Sequence, residues 1–295
     1  DAKIAGFEKL TVGPAAAGGT IDLDNLDNLN ELTLGAVTAG QTLAFTNAAT
    51  GLKLTTPTSG GTVTVAQKDA AGTSDTASVT VSATTAQTVN ALTLTGYEAL
   101  TFNTSRSTAT TAINHVLTTL TAADATSIVV TGSAGLTLGN GFGGLKLTSY
   151  DASGVTGTAP GSVTYTTAAL TTAATIKGGA GNDNLNAALA TKAVSIFGND
   201  GNDTIVGSTV AGAANTLDGG AGDDSLTGGL VADTIIGGAG NDTFVMTNST
   251  ATGSGTVDGM AVNLSDAAVT QASIFTGAAR FLSGAATAGL AANTA

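Results

Sequence analysis

Between residues 178 and 245 the chain repeats a nine-residue phrase, G-G-x-G-x-D-x-U-x with U a large apolar residue, and such a phrase leaves few ways to fold. The first copy carries Gly178, Gly179, Ala180, Gly181 and Asp183, and the second Gly198, Asn199, Asp200, Gly201 and Asp203. The third has Gly219, Gly220, Ala221, Gly222 and Asp224, and the last Gly237, Gly238, Ala239, Gly240 and Asp242. A fifth, poorer copy keeps Gly228, Gly229 and Asp233 but has lost the fourth-position glycine. A turn of this kind must aim carbonyl oxygens inward through conformations that glycine reaches without steric cost, while the aspartate supplies anionic oxygen. Many hard oxygen donors select calcium over zinc. The apolar residues Leu185, Ile205, Leu226, Ile235 and Phe244 then point into a core, which a solvated glycine-rich loop would not require.

Spacing sharpens this reading. If two nonapeptides make one coil, turns on the same edge recur about every 18 residues. The good copies start at 178, 198, 219 and 237, which stacks them on one edge with small insertions. The opposite edge then holds residues 187–193, 207–215 and 228–233, nearly free of acidic side chains. The expectation is a one-sided ladder with an ion between each successive pair of good turns. Stacked coils lie about 4.8 Å apart, so aligned carboxylates repel by about 3 kcal/mol per adjacent pair at an effective dielectric near 20. Across the ladder that rivals the stability of a domain. The metal-free segment is expected to be disordered and to fold on calcium, with an affinity of about 0.1–1 mM.

Upstream, short β-type runs recur with turn residues between them: Leu10-Thr-Val, Thr20-Ile-Asp-Leu, Leu32-Thr-Leu, Thr42-Leu-Ala-Phe, Leu52-Lys-Leu and Thr62-Val-Thr-Val. Later ones are Leu92-Thr-Leu-Thr, Leu100-Thr-Phe, Ile128-Val-Val-Thr, Leu136-Thr-Leu and Leu145-Lys-Leu-Thr. Gly6-Phe-Glu-Lys-Leu-Thr-Val returns as Gly96-Tyr-Glu-Ala-Leu-Thr-Phe, and Gly51-Leu-Lys-Leu-Thr-Thr as Gly144-Leu-Lys-Leu-Thr-Ser. The fold class expected is all-β: a right-handed parallel β-solenoid, or β-roll, of stacked coils. Its parts are a first ladder unit over 1–95, a second over 96–177, the calcium-binding roll over 178–245 and a tail or connection over 246–295. A pair of immunoglobulin-like sandwiches gives strands at the same spacing and stays open at this point. In the tail, Ser265 followed by Val269, Ile274, Phe275, Ala278, Phe281 and Leu282 reads as a capped helix with an apolar face, with strands nearly as good a reading. The chain begins at Asp1 and not at Met, so it reads as a fragment or processed form.

A net charge of −12 with only nine basic residues leaves no positive patch for nucleic acid and repels anionic lipid headgroups. No run is long and apolar enough to insert in a membrane, and with no cysteine there are no disulfides and no thiolate chemistry. Asp22, Asp24 and Asp27 read as a solvated turn more readily than as an extra ion site, as do Asp69, Asp75 and Asp151 singly. The lone histidine, His115, reads as structural. Glu8, Glu31 and Glu98 fall at ladder positions, and no metalloprotease, nucleophile-elbow or phosphate-loop motif is present. The chain is expected not to be an enzyme.

The nonapeptides resemble those of RTX proteins exported by type I secretion. The upstream ladder, including Ser127-Ile-Val-Val-Thr-Gly-Ser-Ala-Gly-Leu-Thr-Leu and Thr148-Ser-Tyr-Asp-Ala-Ser-Gly-Val-Thr-Gly-Thr, is similar to the C-terminal lattice region of Caulobacter-type surface-layer proteins. That resemblance implies a secreted, calcium-dependent structural protein that assembles with other copies of itself on a Gram-negative surface, with lipopolysaccharide held by a region outside this chain. It carries over Asp183, Asp203, Asp224, Asp233 and Asp242 as ligands, with glycine carbonyls of the same turns, and leaves Asp200 and Asp218 without an assigned role. An RTX adhesin or biofilm matrix protein, or the folding module of an exported hydrolase or toxin, is the competing implication.

Overall fold

Alternation of apolar with Thr, Ser or Asn residues gives each run one face for a core and one for water, and the chain resolves this by coiling. In the computed structural model, residues 6–13, 18–26, 29–56, 59–106, 113–139, 146–156, 162–210, 212–229, 233–246, 252–253 and 261–264 are described. Successive strands fall alternately into two sheets of twelve strands each, from Lys9–Val12 to Thr252–Gly253 and from Gly19–Asp22 to Ala261–Leu264. Every strand pairs in parallel with the strand two places along the chain. This is a parallel β-solenoid with two strands per coil, and the parallel pairing excludes the antiparallel sandwich pair. No helix among the described residues is long and apolar enough to cross a membrane.

The core is a set of stacked rows. Leu32, Leu54, Val79, Phe102 and Val130 lie in register on the inner face of the first sheet, all buried, while Thr33, Thr55, Thr80 and Asn103 make the row beside them outside. Within the calcium-motif region the inner rows are Leu185–Ile205–Leu226–Phe244 in one sheet and Ile176–Ile196–Leu217–Ile235 in the other. Ile235 therefore does not join the other four motif residues. Each layer is thin, which is why the chain manages with so few aromatics. Ile205 is fully buried, and Ile205→Ala is expected to lower the stability of the calcium-loaded protein by about 2–5 kcal/mol. Thr204→Ala, on the exposed side of the same strand, should change it by less than about 0.5 kcal/mol. Denaturant midpoints of the two variants check this.

The repeats seen in the sequence map to one kind of corner. Gly6, Gly51 and Gly96 all take a positive φ, 74°, 74° and 81°, which glycine adopts without the Cβ penalty. Just after the first and third of these, the carbonyls of Glu8 and Glu98 each accept two consecutive amides, Asn30 and Glu31 in one case and Thr126 and Ser127 in the other. The Leu145-Lys-Leu-Thr run does not form a strand at its described positions. The strand begins at Ser149, because Thr148 and Ser149 both donate to Thr126 O and the chain is still turning the corner. Both sheets pass residues 95/96 and 177/178 without interruption. The expected tail helix around Val269 to Leu282 lies outside the described residues.

Candidate metal centre

The four good turns stack on one edge. Each closes the corner from a strand of the first sheet to a strand of the second: Ala174–Lys177 to Asn184–Asn186, Val194–Asp200 to Thr204–Val206, Thr216–Ala221 to Ser225–Thr227, and Thr234–Ala239 to Thr243–Met246. The strands that follow the turns are in register, Asn184 with Thr204, Thr204 with Ser225, and Ser225 with Thr243. The preceding aspartates are therefore level. Asp183, Asp203, Asp224 and Asp242 are 2–5% exposed and form a continuous ladder: Asp203 Oδ1 accepts Asp183 N at 2.7 Å, Asp224 Oδ1 accepts Asp203 N at 2.8 Å, and Asp242 Oδ1 accepts Asp224 N at 3.1 Å. Asp183 Oδ1 accepts Val163 N at 2.6 Å, one coil earlier. An apolar residue thus stands where the next carboxylate would be, and the ladder ends there. Beyond it lie the stacked rings of Tyr150 and Tyr165, 4.0 Å apart.

Glycine identity follows from the stacking. A Cβ on Gly220 or Gly222 would strike the main chain of Asn199 or Gly201 in the coil before, and both glycines hold φ above 100°. The second copy has Asn199 in place of the second glycine, and it adopts φ 78°, a conformation that Asn tolerates better than most residues. Its Nδ2 donates to Gly178 O at 2.8 Å.

Two observations fit a cation at this edge. Asp203 Oδ2 and Asp224 Oδ2 are buried with no hydrogen-bond donor, an arrangement that is strongly unfavourable for a carboxylate left to itself. Beside each, an oxygen cradle is already built: a Cβ on Gly198 or Gly219 would meet its own turn's Asp Oδ2 and the carbonyl oxygen of Gly219 or Gly237 in the next turn. Gly178 sits the same way against Asp183 Oδ2 and Gly198 O. Among the described residues no three acidic or histidine side chains converge on one point. The further oxygens that calcium takes would come from main-chain carbonyls of the glycine-rich turns and from water. The groups that would hold calcium are the carboxylates of Asp183, Asp203, Asp224 and Asp242 with the carbonyls of the first glycines. Calcium held there would supply the positive charge that the buried carboxylates lack.

Without metal, burial pushes Asp203 up to about 8, with the charges of Asp183, Asp224 and Asp200 adding to it. Burial also raises Asp183 and Asp224 to about 6, held from going higher by the amides of Val163 and Gly179 at Asp183 and by that of Asp203 at Asp224. The main obstacle to charging Asp183, Asp203 and Asp224 without metal is therefore loss of water around them. Repulsion between neighbours, which spacing alone suggested as the cause, comes second.

Asp233 stands apart from these four. With Gly228 and Gly229 it lies on the opposite edge, where its Oδ1 accepts both Asn215 N at 2.7 Å and Asn215 Nδ2 at 3.0 Å, and its Oδ2 accepts Gly229 N at 2.5 Å. Asn215 in turn accepts Val194 N and Ser208 N. Sequence reasoning missed Asn215. Its signal was Asn-Thr-Leu, an Asx followed by a small residue and an apolar one, placed 18 residues before Asp233-Thr-Ile. Asp200 is exposed at the end of its strand, and Asp218 is half-buried on the outer face, where burial raises its carboxyl. Ala180 donates to Val155 O, whereas Ala221 and Ala239 are exposed and their carbonyls accept Gly201 N and Gly222 N.

Elsewhere several of the weaker candidates make structural bonds, while Asp75 Oδ2 is buried without a hydrogen-bond donor. Asp22 accepts Asn47 Nδ2 and Asp24 N, and Lys68 pairs with Asp24; Asp27 lies outside the described residues. Asp69 and Asp151 cap their own turns, and Asp151 also pairs with Lys177. Glu31 pairs with Lys9, and Glu98 accepts Asp75 N. His115 is 1% exposed, its Nδ1 accepts Gln87 N at 3.1 Å, and burial lowers its basicity.

No curated protein matches the chain. The family model of the RTX calcium-binding nonapeptide repeat matches residues 174–189, 192–209 and 211–244, which covers every turn of the aspartate ladder and the Asn215–Asp233 edge. Residues 174–244 are thus an RTX calcium-binding β-roll, built as a continuation of the solenoid that precedes it.

Proposed function

We propose that the chain is the calcium-folded part of a secreted surface-layer protein, a structural component that assembles with copies of itself into a cell-surface lattice and carries no catalytic site. RTX-repeat proteins are typically secreted, and millimolar extracellular calcium suits sites of this kind. The observation that carries the reading is continuity. The calcium roll shares both of its sheets with the coils upstream, so calcium binding would stiffen coils that are continuous with the rest of the ladder. A folding module hung on a separate catalytic domain would have no need of that. The structural bonds of His115, Asp151 and Glu31 agree with a scaffold. Attachment to outer-membrane lipopolysaccharide would belong to a region outside this chain.

Electron microscopy of the calcium-loaded protein tests the proposal. Ordered two-dimensional sheets that dissolve on chelation are expected. Discrete particles that bind cells or glycans would instead make it an adhesin or matrix protein and end the surface-layer reading.

A further inference from the structure

The fifth residue of each good nonapeptide, which the motif leaves free, forms a second ladder. Asn182 Oδ1 accepts Asn202 N at 2.9 Å, Asn202 Oδ1 accepts Asp223 N at 3.0 Å, and Asp223 Oδ1 accepts Asn241 N at 2.8 Å. All four side chains are on exposed residues just outside the buried aspartates. The two ladders run in opposite senses. At the fifth position the amide of a turn bonds to the side chain of the turn before it; at the sixth, the amide bonds to the carboxylate of the turn after it. In the middle turns two consecutive amides, 202 and 203 or 223 and 224, are therefore tied to both neighbours at once. Short polar side chains here take over main-chain donors that the strand ladder does not reach.

We infer that Asn182, Asn202 and Asp223 are positioning residues for calcium: they fix the height of each turn between its neighbours and so set the separation of the oxygens that face the ion. The inference rests on the calcium reading of the sixth-position ladder and assigns the clasp that spaces it. Each ion position draws its carboxylate and its carbonyl from successive turns, so its width is the turn spacing. That spacing is held by bonds pulling in both directions, and one of the two sets needs no metal to balance a buried charge. Two of the three acceptors, Asn182 and Asn202, supply the oxygen without adding a negative charge beside the carboxylates. Asp223 supplies the same oxygen and does add one: it is among the charges that raise Asp224.

The test uses the intact chain with calcium and combines amide exchange with calcium titration by calorimetry. Asn182→Ala is expected to speed exchange of amide 202 about tenfold in the loaded protein, the loss of one hydrogen bond, while amide 183, bonded to Asp203, keeps its rate. Calcium affinity is expected to fall about tenfold, as when a supporting group behind a metal ligand is lost, with the number of bound ions unchanged. Asn182→Asp retains the acceptor and should restore the slow exchange of amide 202. Asn241→Ala is the control, because Asn241 joins the described ladder through its main-chain amide and not its side chain. Unchanged exchange and affinity in Asn182→Ala would overturn the inference, and so would equal losses in the Ala and Asp variants. A wild-type protein that binds no calcium would overturn the reading beneath it, while amide exchange would still report whether the clasp exists.

Discussion

Asp203→Ala is expected to bind fewer calcium ions than the wild type, and Asp233→Ala the same number. Asp203 borders two intervals of the ladder, one shared with Asp183 and one with Asp224. Its removal takes the carboxylate from the cradle completed by Gly219 O and leaves the buried amide of Asp183 without an acceptor. Loss of ligand and acceptor together should raise the calcium needed for folding by at least about tenfold, the low end of the range for losing a supporting group alone. Asp233 already satisfies three N–H donors with its two oxygens. Asp233→Ala should lower the stability of the loaded protein by about 1–3 kcal/mol through unsatisfied buried donors, and because folding and binding are linked, its calcium midpoint will also move. Stoichiometry separates the two cases where midpoints do not. Equilibrium dialysis at saturating calcium reads it, and an equal loss of ions in both variants would refute a ladder confined to one edge.

In chelator, the roll is expected to be better ordered at pH 5 than at pH 8. Asp203 is raised to about 8 and Asp183 and Asp224 to about 6 in the folded, metal-free state, against an ordinary value of 3.8 when the chain is unfolded. The folded form therefore holds protons that the unfolded form has released. Stability from these groups is fully present below about 3.8 and is lost as pH rises through 6 and then 8. Calcium should abolish the trend by taking over the neutralising role of the protons. His115 acts in the opposite sense: burial lowers it, so its contribution is present above 6.5 and lost as pH falls. Because His115 lies in the strand Asn114–Thr121, upstream of the roll, the comparison should be made on amide exchange within residues 178–245. Greater protection there at pH 8 than at pH 5, without calcium, would contradict it.

The sequence by itself determined the coil and the edge. A phrase repeated at 20, 21 and 18 residues leaves a solenoid little choice about where its turns lie, since a one-residue slip would turn every inward Leu or Ile outward. The same periodicity placed Leu185, Ile205, Leu226 and Phe244 in one inner row. What a linear pattern does not carry is direction and contact across coils. Asn215 and the fifth-position Asn residues look like filler in one copy of the phrase; only the neighbouring coil supplies the amides that give them work. The cause of the ladder's need for metal was decided in the same way. Spacing counts charges and so pointed to repulsion, but burial is a property of the assembled coils, and it is burial that leads in raising Asp203.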